Sequence, residues 1–281
     1  CDNCQEGEGL TIAGRVRTFQ GGLMENVEVS LNVDEQQTMT TENGRYQFQA
    51  PVGDDYGMQA YKNDDTRVGL STLDMIFLRN HIVQSNPLNN PYLELAADIN
   101  ADGSINVVDL VQLQAVILGV NETFPSNTSW RFVPHDWDGI TAPPSAYELG
   151  VVEVCGFGFD WAGIKIGDLN QSSYPTGTGL TGTDGNSRTS AERVEITVAD
   201  QEVTAGGTYE VTFALPPSDR YKGGQASIHW PADQLTYVGF ESPELSSSSF
   251  NETTTDRGLL LFNFSATLRS ENFLTLRFRA N

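Results

Sequence analysis

Between residues 98 and 109 the chain reads Asp-Ile-Asn-Ala-Asp-Gly-Ser-Ile-Asn-Val-Val-Asp, with oxygen-bearing side chains at positions 1, 3, 5, 9 and 12 of a twelve-residue loop and glycine at position 6. A hard cation such as calcium takes six to eight oxygens at roughly 2.3–2.6 Å. A short loop delivers that many only by turning sharply at its middle, where glycine tolerates the backbone angles. The expected side-chain ligands are Asp98, Asn100, Asp102, Asn106 and Asp109, joined by a backbone carbonyl from Ser104. An Asx-rich surface turn accounts for Gly103 but leaves five ligands in register unexplained.

An ordinary EF-hand loop ends in glutamate, whereas Asp109 stands at position 12 here. The segment Asp109–Leu118 that follows has the pattern of an amphipathic helix, and no matching helix is expected ahead of the loop. A loop with Asp at 12, Asn at 9 and only a following helix resembles the dockerin family, calcium-binding modules that dock onto cohesin domains. The resemblance implies an internal duplication. At an offset of 35 residues Leu70-Ser71-Thr-Leu-Asp74 aligns with Ile105-Asn106-Val-Val-Asp109, and the helix Asp74–Val83 with Asp109–Leu118.

The first copy lacks the front of its loop, since counting back from Asp74 puts Arg67 at position 5 and Val68 where glycine belongs. Two readings stay open. Either this is a degenerate site, or the missing front is Ile166-Gly167-Asp168-Leu169-Asn170-Gln171-Ser172, which looks like the opening of a dockerin loop. Asp168 and Asn170 would then supply positions 1 and 3, and Ser71 and Asp74 positions 9 and 12, of a second calcium site. The competing expectation for Asp168 is that it only caps a turn.

The expected architecture is mostly β and multidomain, with two β-sandwiches flanking a small α-helical calcium-binding dockerin-like module. Residues 1–61 alternate as strands at Val27, Val29, Leu31 and Val33, turn at Glu42-Asn43-Gly44 and resume the period of two at Tyr46 and Phe48. This block resembles the prealbumin-like (carboxypeptidase-regulatory or Cna-B-like) repeats of bacterial surface proteins. Some of those repeats carry a Lys–Asn crosslink, which is not expected here because no lysine precedes Lys62.

Residues 62–173 form the calcium-binding module, with a long insert over 119–160. The insert resembles extended dockerin-like modules of secreted Bacteroidota proteins, and its aromatic residues are expected to form a satellite core. Exposure of Trp130, Trp137 and Trp161 as a sugar platform is the alternative. Residues 174–190 are rich in Gly, Ser and Thr without apolar periodicity and read as a flexible linker. Strands return over 191–281, at Val194–Val198, Tyr209–Leu215, Ala226–Trp230, Leu235–Phe240, Leu259–Phe264 and Phe273–Phe278. There Gly223–Val238 resembles a cohesin domain, short of a closing strand.

A net charge of −21 and a lysine count of three (Lys62, Lys165, Lys222) argue against nucleic-acid binding, which needs clustered basic residues. No run of 18 apolar residues is present to span a membrane. Cys1, Cys4 and Cys155 permit one disulfide, Cys4–Cys155 or Cys1–Cys4, and Cys1 in first place is compatible with a lipid-anchored terminus or with a crop from a longer chain. No nucleophile elbow, zinc-protease helix or phosphate-binding glycine loop occurs, and His81, His135 and His229 are scattered. The expectation is therefore a non-enzymatic extracellular or cell-surface protein with Ca2+ as its cofactor and other protein domains, including copies of itself head-to-tail, as its partners. A filament subunit and the stalk of a larger secreted enzyme are the alternatives. Loop positions 10 and 11, Thr72-Leu73 and Val107-Val108, are more apolar than the Ser-Thr pair that the resemblance implies, so packing of the helices within their own chain competes with docking in trans.

Overall fold

The computed structural model describes residues 10–32, 36–51, 55–140, 147–151, 156–173, 198, 202–215 and 222–281. These fall into two compact units that interleave along the sequence: 1–69, 88–105 and 126–183 in the first, and 70–87, 106–125 and 184–281 in the second.

In the first unit the strands β1 (Leu10–Thr18), β2 (Glu28–Leu31), β3 (Gln36–Met39), β4 (Arg45–Ala50) and β5 (Asp55–Tyr61) follow the expected alternation. Its second half adds β6 (Trp130–Pro134), β7 (Tyr147–Val151), β8 (Gly156–Gly158) and β9 (Trp161–Lys165). One sheet runs β4-β1-β9-β6, with β8 also pairing β1, and the other runs β3-β2-β5-β7. Leu10, Ile12 and Val16 of β1 and Tyr46, Phe48 and Ala50 of β4 face inward onto Val29, Leu31, Tyr56 and Met58. Each such side chain, removed from water, contributes on the order of 2 kcal/mol.

Trp130, Phe132 and Trp161 belong to this same core. The expected satellite core of the insert is thus corrected: its strands complete the first sandwich. The local pattern shows that these residues want burial, but strand pairing between residues more than a hundred positions apart is not a local property. Trp130 and Trp161 are consequently no sugar platform, being 5% and 1% exposed. Trp137 sits edge-on to Tyr92, which stacks on Phe19.

A short helix, Pro91–Ala97, leads directly into Asp98, where no helix was expected. Its start signals are present in the sequence, with Asn90 accepting from the Tyr92 amide and Pro91 in the first turn. Seven residues are simply too few to show a period. Two helices of the second unit flank it in sequence, so the three are α1 (Thr72–Ile82), α2 (Pro91–Ala97) and α3 (Val107–Ile117).

The second unit holds α1, α3 and a sandwich of two three-stranded sheets. These are β10 (Thr208–Ala214), β15 (Asn272–Ala280) and β12 (Leu235–Glu241) in one, and β11 (Gly224–His229), β14 (Leu259–Phe264) and β13 (Phe250–Asn251) in the other. Leu260, Phe262, Phe273, Leu274 and Leu276 fill it. The strand expected at Val194–Val198, the linker at 174–190 and the three cysteines lie outside the described residues, Val198 apart. No described helix is long and apolar enough to cross a membrane.

Candidate functional site

The loop at 98–109 passes from one unit to the other, its front half in the first and its back half in the second. In the front half the Asp102 amide donates to Asp98 Oδ1 (3.0 Å) and to Asn100 Oδ1 (3.0 Å), and the Gly103 amide donates to Asp98 Oδ2 (3.1 Å). The Ser104 amide donates to Asp102 Oδ1 (2.8 Å). Ala101 and Gly103 both take the left-handed backbone (φ 58° and 81°), which gathers the oxygens of positions 1, 3 and 5 around one bend. Arg131 approaches Asp98 at 3.8 Å, and the Asn127 amide group donates to the Asp98 carbonyl.

The turn at 168 repeats this geometry. Ser172 donates its amide to Asp168 Oδ1 (2.9 Å) and Asn170 Oδ1 (3.0 Å), the Ser173 amide donates to Asp168 Oδ2 (2.7 Å), and Gln171 at position 4 has φ 61°. Within the same unit the Ser172 hydroxyl donates to the Gly69 carbonyl (2.8 Å). A Cβ on Gly69 would stand 2.5 Å from the Ser173 side chain, so glycine is needed there for the approach as well as for its φ of 83°. Gly69 lies two residues before Ser71 and so holds position 7 of the first copy, the place of a carbonyl ligand. The residues at positions 1, 3, 5 and 7 of the expected second loop are therefore gathered in one unit from two distant stretches of chain. A hydrogen bond from the Gly167 amide to the Ala96 carbonyl (2.9 Å) ties together the approaches to the two turns.

The back halves also match. Asn106 caps α3 and Ser71 caps α1, each in a reciprocal box with the aspartate three residues on, Asp109 or Asp74. The amides of Asn106 and Ser71 donate to Asp109 Oδ2 (2.9 Å) and Asp74 Oδ2 (2.8 Å).

Burial supplies the test of the donor set. Of the chain's 37 acidic residues, four are buried among those described: Asp74 and Asp109 at 0%, Asp168 at 4% and Asp98 at 7% exposed. These are the residues assigned to positions 1 and 12 of the two loops. Carboxylates leave water at a cost of several kcal/mol unless a cation or hydrogen bonds replace it; each of the four accepts backbone amides, and a chelated calcium would supply the cation. Oxygen donors are the kind calcium takes, and among the described residues no group of three or more His, Cys, Asp or Glu side chains is gathered as around a metal ion. At Asp168 burial pushes the carboxyl above the ordinary range, opposed by the amides of Ser172, Ser173 and Gln171 and by Lys165. Burial lowers the Lys165 ammonium to about 8 against the pull of Asp64, Asp65 and Asp168, while its Nζ donates to the Asp65 carbonyl and lies 5.2 Å from the Trp130 ring centre. Lys62, where a crosslink was not expected, pairs with Asp64 at 2.7 Å.

Of the two expectations for the helices, the second unit shows packing within their own chain. Within the second unit α1 and α3 pack on each other and on the β11–β14 sheet. The Thr72 amide and hydroxyl both donate to Gln225 Oε1 (3.1 Å each), the hydroxyl also reaches the Gly224 carbonyl (3.2 Å), and Arg79 donates to the Ser265 carbonyl. Gln114 donates to Asn263 (2.9 Å) and Asn251 donates to the Leu118 carbonyl (2.9 Å). Thr72, at loop position 10, is 5% exposed, whereas its counterpart Val107 is 61% exposed.

Among solved structures the chain is similar to the full-length major pilin SpaD of Corynebacterium diphtheriae, at 8% identity and TM-score 0.30, covering 98% of this chain and 57% of that one. It is also similar to BcpA, the major pilin subunit of Bacillus cereus, at 7% identity and TM-score 0.26, covering 97% and 59%. The chain spans less than two thirds of either pilin, and likeness this loose carries no argument about function. No protein-family model matches the chain, and no curated protein sequence matches it.

Proposed function

We propose that the chain is a calcium-stabilised extracellular protein of adhesion or assembly, in which calcium loops order a dockerin-like helix pair and a cohesin-like sandwich receives it. The observation that carries this reading is the seating of α1 and α3 on the β11–β14 sheet through Thr72, Arg79, Gln114 and Asn251. On this reading docking element and receptor lie on one chain. Asp98, Asn100, Asp102, Ser104, Asn106 and Asp109 hold one ion, and Asp168, Asn170, Ser71 and Asp74 hold a second. Each ion neutralises carboxylates that otherwise repel, so its binding free energy becomes folding free energy. Extracellular sites of this kind bind with dissociation constants of roughly 10⁻⁴–10⁻³ M.

A second reading, the filament subunit, is favoured by the chain path of that contact. The helices join the sandwich segment only by way of residues 126–183 of the other unit, so another copy can supply either side of the contact. Exchange of this kind is head-to-tail and builds an open fibre unless its rotation closes. The contact is also imperfect: the buried Asn263 Nδ2 has no protein acceptor among the described residues, which keeps its net worth modest.

Sedimentation of the purified chain across a concentration series, in millimolar calcium and after chelation, tests both readings. Large species that grow with concentration and need calcium are expected for assembly by exchange. A monomer in both conditions, with only the melting temperature lowered by chelation, removes the filament and leaves a calcium-stiffened module. If neither melting nor sedimentation responds to calcium, both readings fall.

A further inference from the structure

On the outer face of the first sandwich Arg15 of β1 lies directly opposite Arg45 of the antiparallel β4. Like charges facing each other across a ladder destabilise a strand pair, so the pairing has no structural rationale of its own. Arg17 lies two residues further along β1 on the same face. All three line one cleft of about 630 Å³, with Thr38, Tyr46 and Asp160 among its other walls. In a chain of net charge −21 this gathering of cations runs against composition.

The cations are also free to act. No described carboxylate forms an ion pair with Arg15, Arg17 or Arg45. Asp160, the acid in the cleft wall, is already engaged, its Oδ1 accepting from the Arg15 amide at 2.7 Å. Arg17 Nε is buried with no protein acceptor among the described residues. Guanidinium groups present a planar fork matched to carboxylates.

We infer that this cleft binds an extended acidic peptide segment, with carboxylates at alternate residues meeting Arg15 and Arg17 and Arg45 closing over them. Three features select a peptide. Arg15 and Arg17 repeat at the side-chain period of a strand, roughly 7 Å, which an extended partner with acids at alternate positions reproduces. β4 is an edge strand whose sole ladder partner among the described residues is β1, and past Arg45, whose amide and carbonyl are taken by Thr41, its edge borders the cleft at Gln47 for strand addition. The one aromatic residue in the wall, Tyr46, is 4% exposed and offers no ring face on which a sugar could stack. The site lies wholly within the first unit and is independent of the calcium loops.

Titration at physiological salt tests this with two synthetic octapeptides of one composition, glutamates alternating in the first and clustered in the second, and with polygalacturonate as an acidic sugar polymer. Saturable binding of the alternating peptide is expected, at least tenfold tighter than of the clustered one, unchanged by chelation, and at least tenfold weaker in R15Q and in R45Q. Because either substitution relieves the facing charges, the melting temperature of each variant should stay level or rise, which separates lost binding from lost fold. Equal binding of both peptides, preference for polygalacturonate, or no binding at all overturns the inference.

Discussion

The turns at 98–103 and 168–173 make the same hydrogen bonds with different residues, yet one runs straight on along the chain and the other closes against Gly69, about a hundred residues earlier. What the two share shows which parts of such a bend are local: an aspartate at position 1, an Asx at position 3 and a left-handed residue at position 4 recur in both. What differs is how the rest is reached. The first turn runs on through Gly103 into Asn106 and Asp109, whereas the second stops at Ser173 against Gly69 and depends on the β-sandwich to hold those strands in place.

The largest expected break is in calcium count. Asp98→Ala and Asp168→Ala should each lose one ion of two by equilibrium dialysis, and at calcium a hundredfold above the dissociation constant each lost ion should cost about 2.7 kcal/mol of stability. Unchanged stoichiometry in Asp168→Ala reduces that turn to a structural bend and ends the comparison.

The helices that follow the two loops sharpen it. Thr72→Val, which removes the hydroxyl that reaches Gln225 and Gly224 and leaves the backbone amide donating to Gln225, should destabilise the second unit by about 1–2 kcal/mol in urea unfolding, while Val107→Thr at the equivalent exposed position should change it by less than about 0.5 kcal/mol. Similar effects from the two would mean that both helix starts are buried against a partner.

The smallest effect concerns the cation beside the second turn, since burial lowers the Lys165 ammonium near Asp168 to about 8. With its pKa lowered to about 8 in the fold, Lys165 binds fewer protons there than in the unfolded chain between about pH 8 and its ordinary value. Its contribution therefore rises with pH through that window, by about 1 kcal/mol per pH unit, and is lost as pH falls through 8. Tyr46, pushed up by burial, acts in the opposite direction above pH 10, so the measurement belongs between pH 8 and 10 in calcium-free buffer. Lys165→Met should flatten the slope; an unchanged slope assigns it to another group.

Much of the candidate site is legible in the chain because ligand spacing, helix caps and strand alternation are properties of neighbouring residues. Asp98 to Asp109, the box pairs Ser71–Asp74 and Asn106–Asp109, and the strand Leu259–Phe264 could all be read that way. The short α2 could have been, from Asn90-Pro91. Beyond reach were Gly69 as the carbonyl beside Ser172, the passage of Trp130 and Trp161 into the first core, Thr72 against Gln225, and the arginine cleft. Each joins residues dozens to more than a hundred positions apart, and composition alone does not say which of 37 carboxylates will be buried. By itself the sequence determined the local bends, the caps and the apolar periods, because these depend on backbone angles and side chains a few residues apart. Tertiary structure alone decided which distant stretches pack together, which acids leave water and which cations stay unpaired, because strand pairing and packing bring together residues that no local rule connects.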